Sequence, residues 1–477
     1  MTAQRDDSEY AALEASECRE SISWITHGSL LAATWRLALP MIGAGLLQNL
    51  FSIVDIYFVG RLGPAAISAV TLSGTIVGIL LMLGIGITVG CTALVAQAFG
   101  AGNRTRAGVV ASQSLLVSVI LSLVTAAVFP FAPWCLEVLG GTPEVVAEGT
   151  SYLQVALIGS FTMFLSITFS AALRGAGDAV TPLKIVGLGN LINIVLDPIF
   201  IFGWMGVPAF GVTGSAIATV TARLIATALL AKVFFVDGHE HFHLRLRDLK
   251  PQGKIIGQIF GIGVFGSGQM LIRSLSAVAM VRIVAIFGKV PVAGYGIGLR
   301  LWMVIMMIGM GFGNAAATLV GQNLGAHRPD RSARAAWLAA TMYAVVTLIA
   351  GMIFIFFGEQ LIALFNSQPG VVSAGSGFLI WVGATFIFIA FSMVLGRAMN
   401  GAGDTFWPML ITAYAMLVLR IPLACGLAYA WNSAAGVWVA LAASNVLQGG
   451  LFVLAFWWGR WKKIGEKHVK ATEIYSS

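Results

Sequence analysis

Two short phrases occur twice in this chain at nearly one spacing. Val95-Ala-Gln-Ala-Phe-Gly-Ala-Gly-Asn-Arg104 returns 225 residues later as Val320-Gly-Gln-Asn-Leu-Gly-Ala-His-Arg328. Ala172-Leu-Arg-Gly-Ala-Gly-Asp178, with Pro182 behind it, returns 226 residues later as Ala398-Met-Asn-Gly-Ala-Gly-Asp404, with Pro408. In so apolar a chain, a period of that length means that one membrane unit is built twice. The Gly-Ala-Gly-Asp phrases read as turns: Gly and Asp close a helix, and the proline starts the next one.

Apolar residues make up 58% of the 477 positions and charged residues 10%, with a mean hydropathy of +0.89. Ordinary globular domains carry roughly a quarter charged residues, so a soluble domain is excluded. About 20 apolar residues are needed per membrane crossing. Twelve such spans are expected, at 34–60, 65–98, 108–130, 150–173, 181–203, 211–236, 256–287, 291–322, 336–357, 372–398, 406–430 and 434–459. Residues 1–33 are polar and acidic, the reverse of a positively charged leader, and read as a tail. The four cysteines show neither a disulfide framework nor metal spacing.

Basic residues gather in alternate loops: Arg104 and Arg106, Arg174 and Lys184, Arg245 to Lys254, Arg328 to Arg334, and Arg460 to Lys467. The other loops hold little besides Arg61 and Lys289, and one carries Glu137, Glu144 and Glu148. The positive-inside rule then puts both termini in the cytoplasm of a multi-pass plasma membrane protein, a bacterial inner membrane one. The basic 237–255 stretch reads as a connector between halves rather than as a nucleic-acid patch. The fold expectation is therefore an all-α integral membrane protein of twelve transmembrane helices. It has an N-lobe at 34–236 and a C-lobe at 256–459, each of six helices, with cytoplasmic tails at 1–33 and 460–477. An even number of spans per copy relates the lobes by a pseudo-two-fold axis along the membrane normal.

Ionisable residues inside spans are costly and mark function by default. Asp55 in span 1 and Asp197 in span 5 both fall roughly 8–9 Å below the outer surface, at about 1.5 Å per residue. Asn193 lies one turn from Asp197 on the same face, and Thr219 in span 6 falls at about 12 Å by the same rise. Pro198 breaks the hydrogen-bond ladder beside them. Two carboxylates with an amide and a hydroxyl suit Na⁺, which wants hard oxygens, or H⁺, because burial and a second negative charge both penalise a bare carboxylate. The alternative is a static ion pair with Arg223, one turn beyond Thr219. Gln48, Phe51 and Asp55 share a face of span 1 at i, i+3, i+7 and are candidates for lining a substrate cavity. Pro40 either bends span 1 or starts it. In the second half no such acids appear; Arg273, Arg282, Arg300 and Arg420 put positive charge within or near the membrane instead. Those arginines leave open a cavity for an anionic group, and Arg300 joins the cavity candidates.

On the repeat phrases, Val54-Asp-Ile-Tyr-Phe-Val-Gly-Arg-Leu62 and Asn190-Leu-Ile-Asn-Ile-Val-Leu-Asp-Pro198, the chain resembles the multidrug and toxic compound extrusion (MATE) family over nearly all of residues 30–460. The resemblance implies a two-lobed exporter driven by inward Na⁺ or H⁺, not an enzyme. It also implies that Asp55, Asn193, Asp197 and Thr219 form the N-lobe cation site, the place where any Na⁺ would bind. It further implies that Pro40 serves span 1 bending and that Gln48 lines the cavity. Arg273 stands where a NorM-like branch carries C-lobe carboxylates, which argues for a DinF-like branch with coupling in the N-lobe alone. The expectation is a monomeric drug antiporter in the bilayer, with no cofactor beyond the coupling ion and no nucleic-acid partner. A lipid-linked precursor flippase of the same superfamily is the alternative, motivated by the second-half arginines.

Overall fold

Long apolar runs can hide their backbone polar groups from lipid only by bonding them within the segment, so they become helices. The computed structural model describes residues 24–236 and 249–473, and these are helical with no strand among them. The expected tail over 1–23 and most of the basic connector (237–248) lie outside the described residues. The helices run α1 Leu30–Gly60, α2 Pro64–Gly100, α3 Arg104–Ala126, α4 Ala132–Val138, α5 Pro143–Ala176, α6 Val180–Phe202, α7 Val212–Phe235 and α8 Gly253–Ala285. They continue as α9 Lys289–Gly325, α10 Pro329–Ala363, α11 Pro369–Ala384, α12 Phe386–Gly401, α13 Phe406–Ala413, α14 Ile421–Trp431, α15 Ala435–Trp458 and α16 Arg460–Glu473. A π-helical stretch, Tyr414–Arg420, joins α13 to α14.

Among the described residues, eleven continuous helical stretches are long and apolar enough to cross a membrane. A twelfth crossing is the pair α11 and α12, bent by 58° at Thr385. Each of the twelve expected spans coincides with one of these. Prolines open α2, α5, α10 and α11, where a missing N–H costs nothing. The segment after Gly459, expected as a plain tail, is the amphipathic helix α16. Its Trp461 is fully buried and stacks on Phe456 at 4.6 Å between ring centroids.

The chain divides into two compact units. One holds residues 43–264; the other holds 24–42 and 265–477. The first helix of each copy, α1 and α8, is therefore shared between units, with the changeover at Ile42–Gly43 and at Val264–Phe265. In the first unit Leu94, Phe99, Val110, Phe169, Leu173 and Phe234 form the core. In the second it is built from Phe354, Phe378, Phe386, Leu379 and Trp438. Residues 24–28 belong to the second unit's packing: Ile25 is buried, and Arg331 donates to the carbonyls of Ile25 and Gly28.

Both repeat phrases are helix endings of one kind, with a residue in the left-handed region and an N–H reaching back five residues. Asn103 N–H donates to the Ala98 carbonyl at 2.9 Å beyond Gly102 (φ 73°), and Arg328 N–H to that of Asn323 at 2.8 Å beyond His327 (φ 56°). Asp178 N–H donates to Leu173 and Asp404 N–H to Met399, at 2.9 and 3.0 Å, beyond Gly177 and Gly403. Asp178 Oδ1 then accepts from Val180 and Thr181 N–H, both at 2.9 Å, and starts α6. The helices so ended cross at equivalent points. Gly175 of α5 abuts the Thr92 carbonyl of α2, and Gly401 of α12 abuts the Ala317 carbonyl of α9, more closely still.

A Cβ at position 401 would collide with backbone that cannot swing aside. Overpacking of this kind costs about 1–3 kcal/mol, so Gly401→Ala lowers the thermal unfolding midpoint of the detergent-purified protein. Gly450→Ala, where a Cβ meets nothing within 4 Å, holds or raises it. Equal midpoints for the two variants would refute the crossing.

Candidate functional site

The first unit gathers its membrane-embedded polar side chains at one place. Helix α1 brings Asp55, α6 brings Asn193 and Asp197, and α7 brings Ser215, Thr219 and Arg223 at successive i, i+4 steps along one face. On α1, Phe51 is buried and Gln48 and Asp55 are half-buried, while Leu50, Ile53 and Ile56 are exposed. The stripe expected from the sequence is thus the sheltered face of that helix.

Asp197 is fully buried and Asn193 nearly so. Asn193 Nδ2 donates to Asp197 Oδ1 at 3.3 Å and lies 3.4 Å from Thr219 Oγ1. Both distances are at the long end for a hydrogen bond, so these groups are not locked together. Asp55 Oδ1 accepts a short bond of 2.7 Å from Ser215, which ties α1 to α7. Asp197 Oδ2 and Asn193 Oδ1 are buried with no hydrogen-bond partner. An unpartnered buried oxygen is expensive, and two side by side form a ready acceptor set for a proton or a hard cation. Pro198 lies inside α6; lacking an N–H, it leaves the Ile194 carbonyl without its helical donor.

All four residues expected at the cation site are brought together. The static alternative is not realised: Arg223 acts electrostatically on Asp55 but forms no ion pair with Asp55 or Asp197. Two members were missed. Ser215 stands one turn before Thr219, and the 215/219/223 spacing was the signal for it. Tyr152 of α5 lies close enough to interact electrostatically with Asp55, Asp197 and Arg223, and a lone tyrosine in an apolar span gave no signal. The donors are carboxylate, amide and hydroxyl oxygens. Among the described residues no three His, Cys, Asp or Glu side chains cluster, so the set suits Na⁺ or H⁺ rather than a transition metal.

The other candidates lie apart from this group. Pro40 sits within α1 without ending it, two residues before the changeover between units. Arg300 is exposed on α9 in the second unit. Arg273 and Arg420 belong to the second unit too, and Arg420 is buried.

Twelve membrane crossings, with a buried and half-satisfied set of oxygens in the first unit, point to a multi-pass membrane transporter. The MatE family model matches residues 40–199 and 267–425, one match in each copy. A probable multidrug resistance protein NorM of Thermotoga maritima is 30% identical over 433 residues, 90% of this chain and 92% of that one. A probable multidrug resistance protein YoeA of Bacillus subtilis is 26% identical, covering 92% and 96% of the two chains. An FAD transporter of Shewanella oneidensis is 25% identical, covering 89% and 94%. Among solved structures, MATE in the bent conformation superposes with a TM-score of 0.85 at 24% identity, over 96% of this chain and 99% of that one. The straight conformation gives 0.83 at 25%, over 95% and 99%. The chain belongs to the MatE family of transporters.

Ser215 supplies the one described hydrogen bond that holds Asp55 to α7. Losing a bond to a charged group costs about 1.5–3 kcal/mol. In Ser215→Ala, hydrogen–deuterium exchange across residues 50–60 should therefore accelerate about tenfold or more. Unchanged exchange there would mean that the bond does not hold α1.

Proposed function

We propose that this protein is a secondary antiporter that exports organic, amphipathic and chiefly cationic compounds in exchange for inward-moving H⁺ or Na⁺. The observation that carries the reading is the convergence of Asp55, Asn193, Asp197 and Thr219 around two buried oxygens that no protein donor satisfies. The names of two of the relatives, both probable multidrug resistance proteins, support multidrug cargo.

On this reading the cation enters from outside and binds between the two acids. It draws Asp55 of α1 toward α6 and α7, and its departure to the cytoplasm lets α1 relax. The ion therefore favours one conformer of the first unit over the other by its differential affinity. Pro40 gives α1 a weakened turn at which to bend. Gln48 and Phe51, on the face of Asp55, line the cargo path next to the ion, and Arg300 is a further candidate for cargo contact. For an uncharged cargo exchanged one-for-one, one charge crossing about 100 mV supplies about 2.3 kcal/mol, around a fiftyfold concentration ratio. A monovalent cationic cargo moves no net charge and draws on the ion's concentration gradient instead. Coupling rests in the first unit alone: of the acids in residues 265–477, Asp330 and Glu359 lie within about a turn of the ends of α10, Asp404 in the turn after α12, and Glu466 and Glu473 on α16, beyond the last crossing. The twelve crossings and the family match favour export over lipid-linked precursor flipping.

The basic loops on one side support a plasma membrane location, bacterial inner membrane, with both termini cytoplasmic. The working partners are drugs and the bilayer. The unit of function is a monomer needing no cofactor besides the coupling ion.

In sealed vesicles carrying the purified protein, a fluorescent cationic dye should accumulate about fiftyfold under one imposed cation concentration gradient equivalent to about 100 mV. A Na⁺ gradient and a pH gradient are imposed separately to identify the ion. Asp55→Asn and Asp197→Asn should each reduce accumulation to near unity while leaving the protein folded. Wild-type accumulation in both variants would remove the coupling assignment.

A further inference from the structure

The second unit holds a concentration of positive charge at membrane depth that the antiport mechanism does not use. Gln269 of α8 donates from Nε2 to Asn400 Oδ1 of α12 at 3.3 Å. Arg273 stands one turn from Gln269 and Arg397 one turn from Asn400, so the two arginines occupy facing stretches of these helices, and Arg420 lies near enough for the Arg273 charge to act on it. Arg420 is buried and anchored: its Nε donates to Ser444 Oγ at 2.7 Å and its Nη2 to Asn445 Oδ1 at 2.8 Å. Arg273 and Arg397 are half-buried and donate to no protein acceptor among the described residues. Arg397 lays its aliphatic stem over Gly313 of α9, which fixes where its head can reach.

Among the described residues of the second unit, no acid stands beside these arginines. Of the five acids in residues 265–477, Asp330 pairs with Lys462 at 3.0 Å. Asp404 sits in the turn after α12 with Arg460 as its cationic neighbour, Glu359 is exposed near the end of α10, and Glu466 and Glu473 are on α16. Uncompensated guanidinium groups inside a membrane are costly and face a cavity or a counter-ion.

The backbone is irregular at the same place. The π-helical stretch Tyr414–Arg420 ends on Arg420 itself, and π-bulges inside α-helices are frequent at functional sites. The break between α11 and α12 is joined to it, because Asn445 Nδ2 donates to Thr385 Oγ1 at 3.3 Å. Irregular backbone at this depth is tolerated only when buried in protein or lining a cavity.

We infer that Arg273, Arg397 and Arg420 form a binding site for the phosphate-type oxyanion of an amphipathic molecule. Planar guanidinium forks match phosphate oxygens in pairs, and three of them suit a group with more than one negative charge better than a single carboxylate. Arg420 is the fixed element, held by Ser444 and Asn445. Arg273 and Arg397, whose N–H groups are uncommitted, close on the ligand. Two sources carry this chemistry, a lipid phosphate headgroup and a soluble organic phosphate. The inference rests on the second unit alone and stands whether or not Asp55 and Asp197 couple a cation.

The test uses the full chain in neutral detergent, with dodecyl phosphate, dodecyltrimethylammonium and inorganic pyrophosphate as probes. Affinities are read from the dependence of the unfolding midpoint on probe concentration. Arg420→Gln would strand Ser444 and Asn445, so the variants are Arg273→Gln and Arg397→Gln, with Arg397→Lys keeping the charge. Dodecyl phosphate should protect the wild type, and each Gln variant should weaken that affinity about tenfold or more, with the probe-free midpoint unchanged. Arg397→Lys should recover part of it. Protection by dodecyl phosphate alone supports the site with an amphiphile or lipid as source. Protection by pyrophosphate as well supports it with a soluble phosphate. Protection by dodecyltrimethylammonium to the same extent, no protection by either phosphate, or indifference to both Gln variants would overturn the proposal.

Discussion

Hydrocarbon offers no hydrogen bonds, so each polar group carried into it must find its partners inside the protein or borrow them from a ligand. The helices meet this demand for nearly all of the backbone, which is why the described chain is helical and its breaks are few. The side chains do not. At Asp197 and Asn193 two oxygens are left without donors, and the surrounding bonds are long. In water such slack would be filled by solvent and mean nothing. At this depth it leaves buried acceptors whose protein partners are insufficient.

The duplication explains what is shared between the units and what is not. Turn geometry and helix crossings recur: the reach-back bonds after Ala98 and Asn323 agree to 0.1 Å (2.9 against 2.8). Gly175 and Gly401 each let a backbone through at the same crossing. These are packing solutions, and any functional pair of copies must keep them. Side chains near the membrane centre are free of that demand. The first copy places carboxylates there and the second places guanidinium groups, so one scaffold offers sites of opposite charge. The left-handed position that is Gly102 in one copy and His327 in the other shows how far divergence reaches even into a turn, since a side chain there carries strain that glycine avoids.

Much of this was visible in the residues themselves. The twelve crossings followed from long apolar runs, and the turns from Gly-Ala-Gly-Asp with a proline behind. The site was visible because Asp55, Asn193, Asp197 and Thr219 are polar where polarity is costly, and depth can be counted along a helix. Ser215 and Tyr152 were not singled out. Hydroxyl groups are tolerated in membrane helices by bonding to their own backbone, so their presence carries little information until a partner helix is known. The bend at Thr385, the π-stretch ending on Arg420 and the folding back of α16 were also hidden. Each has tertiary partners, Asn445 for Thr385, Ser444 for Arg420 and Phe456 for Trp461. The local breakers beside two of them, Pro422 after the π-stretch and Gly459 before α16, do not by themselves specify the shape that follows.

The division of α1 carries the mechanism furthest. Asp55 and Pro40 are fifteen residues apart on one uninterrupted helix, about 22 Å along its axis, and they belong to different compact units. A helix that is continuous in hydrogen bonding transmits a change at one end to the other unless a weak turn absorbs it. Pro40 is that weak turn, placed just before the changeover. On the antiport reading, without the cation the segment from Gly43 onward is held to α7 by the Ser215–Asp55 bond and by the packing of Val59 with Val212. With the cation bound it is held by the shared ion as well. On the antiport reading, ion binding therefore alters how firmly the first unit grips α1 while residues 24–42 stay with the second, and strain between the two grips falls at the proline. Coupling then needs no separate relay, because the ion site and the bending point are parts of the same covalent rod.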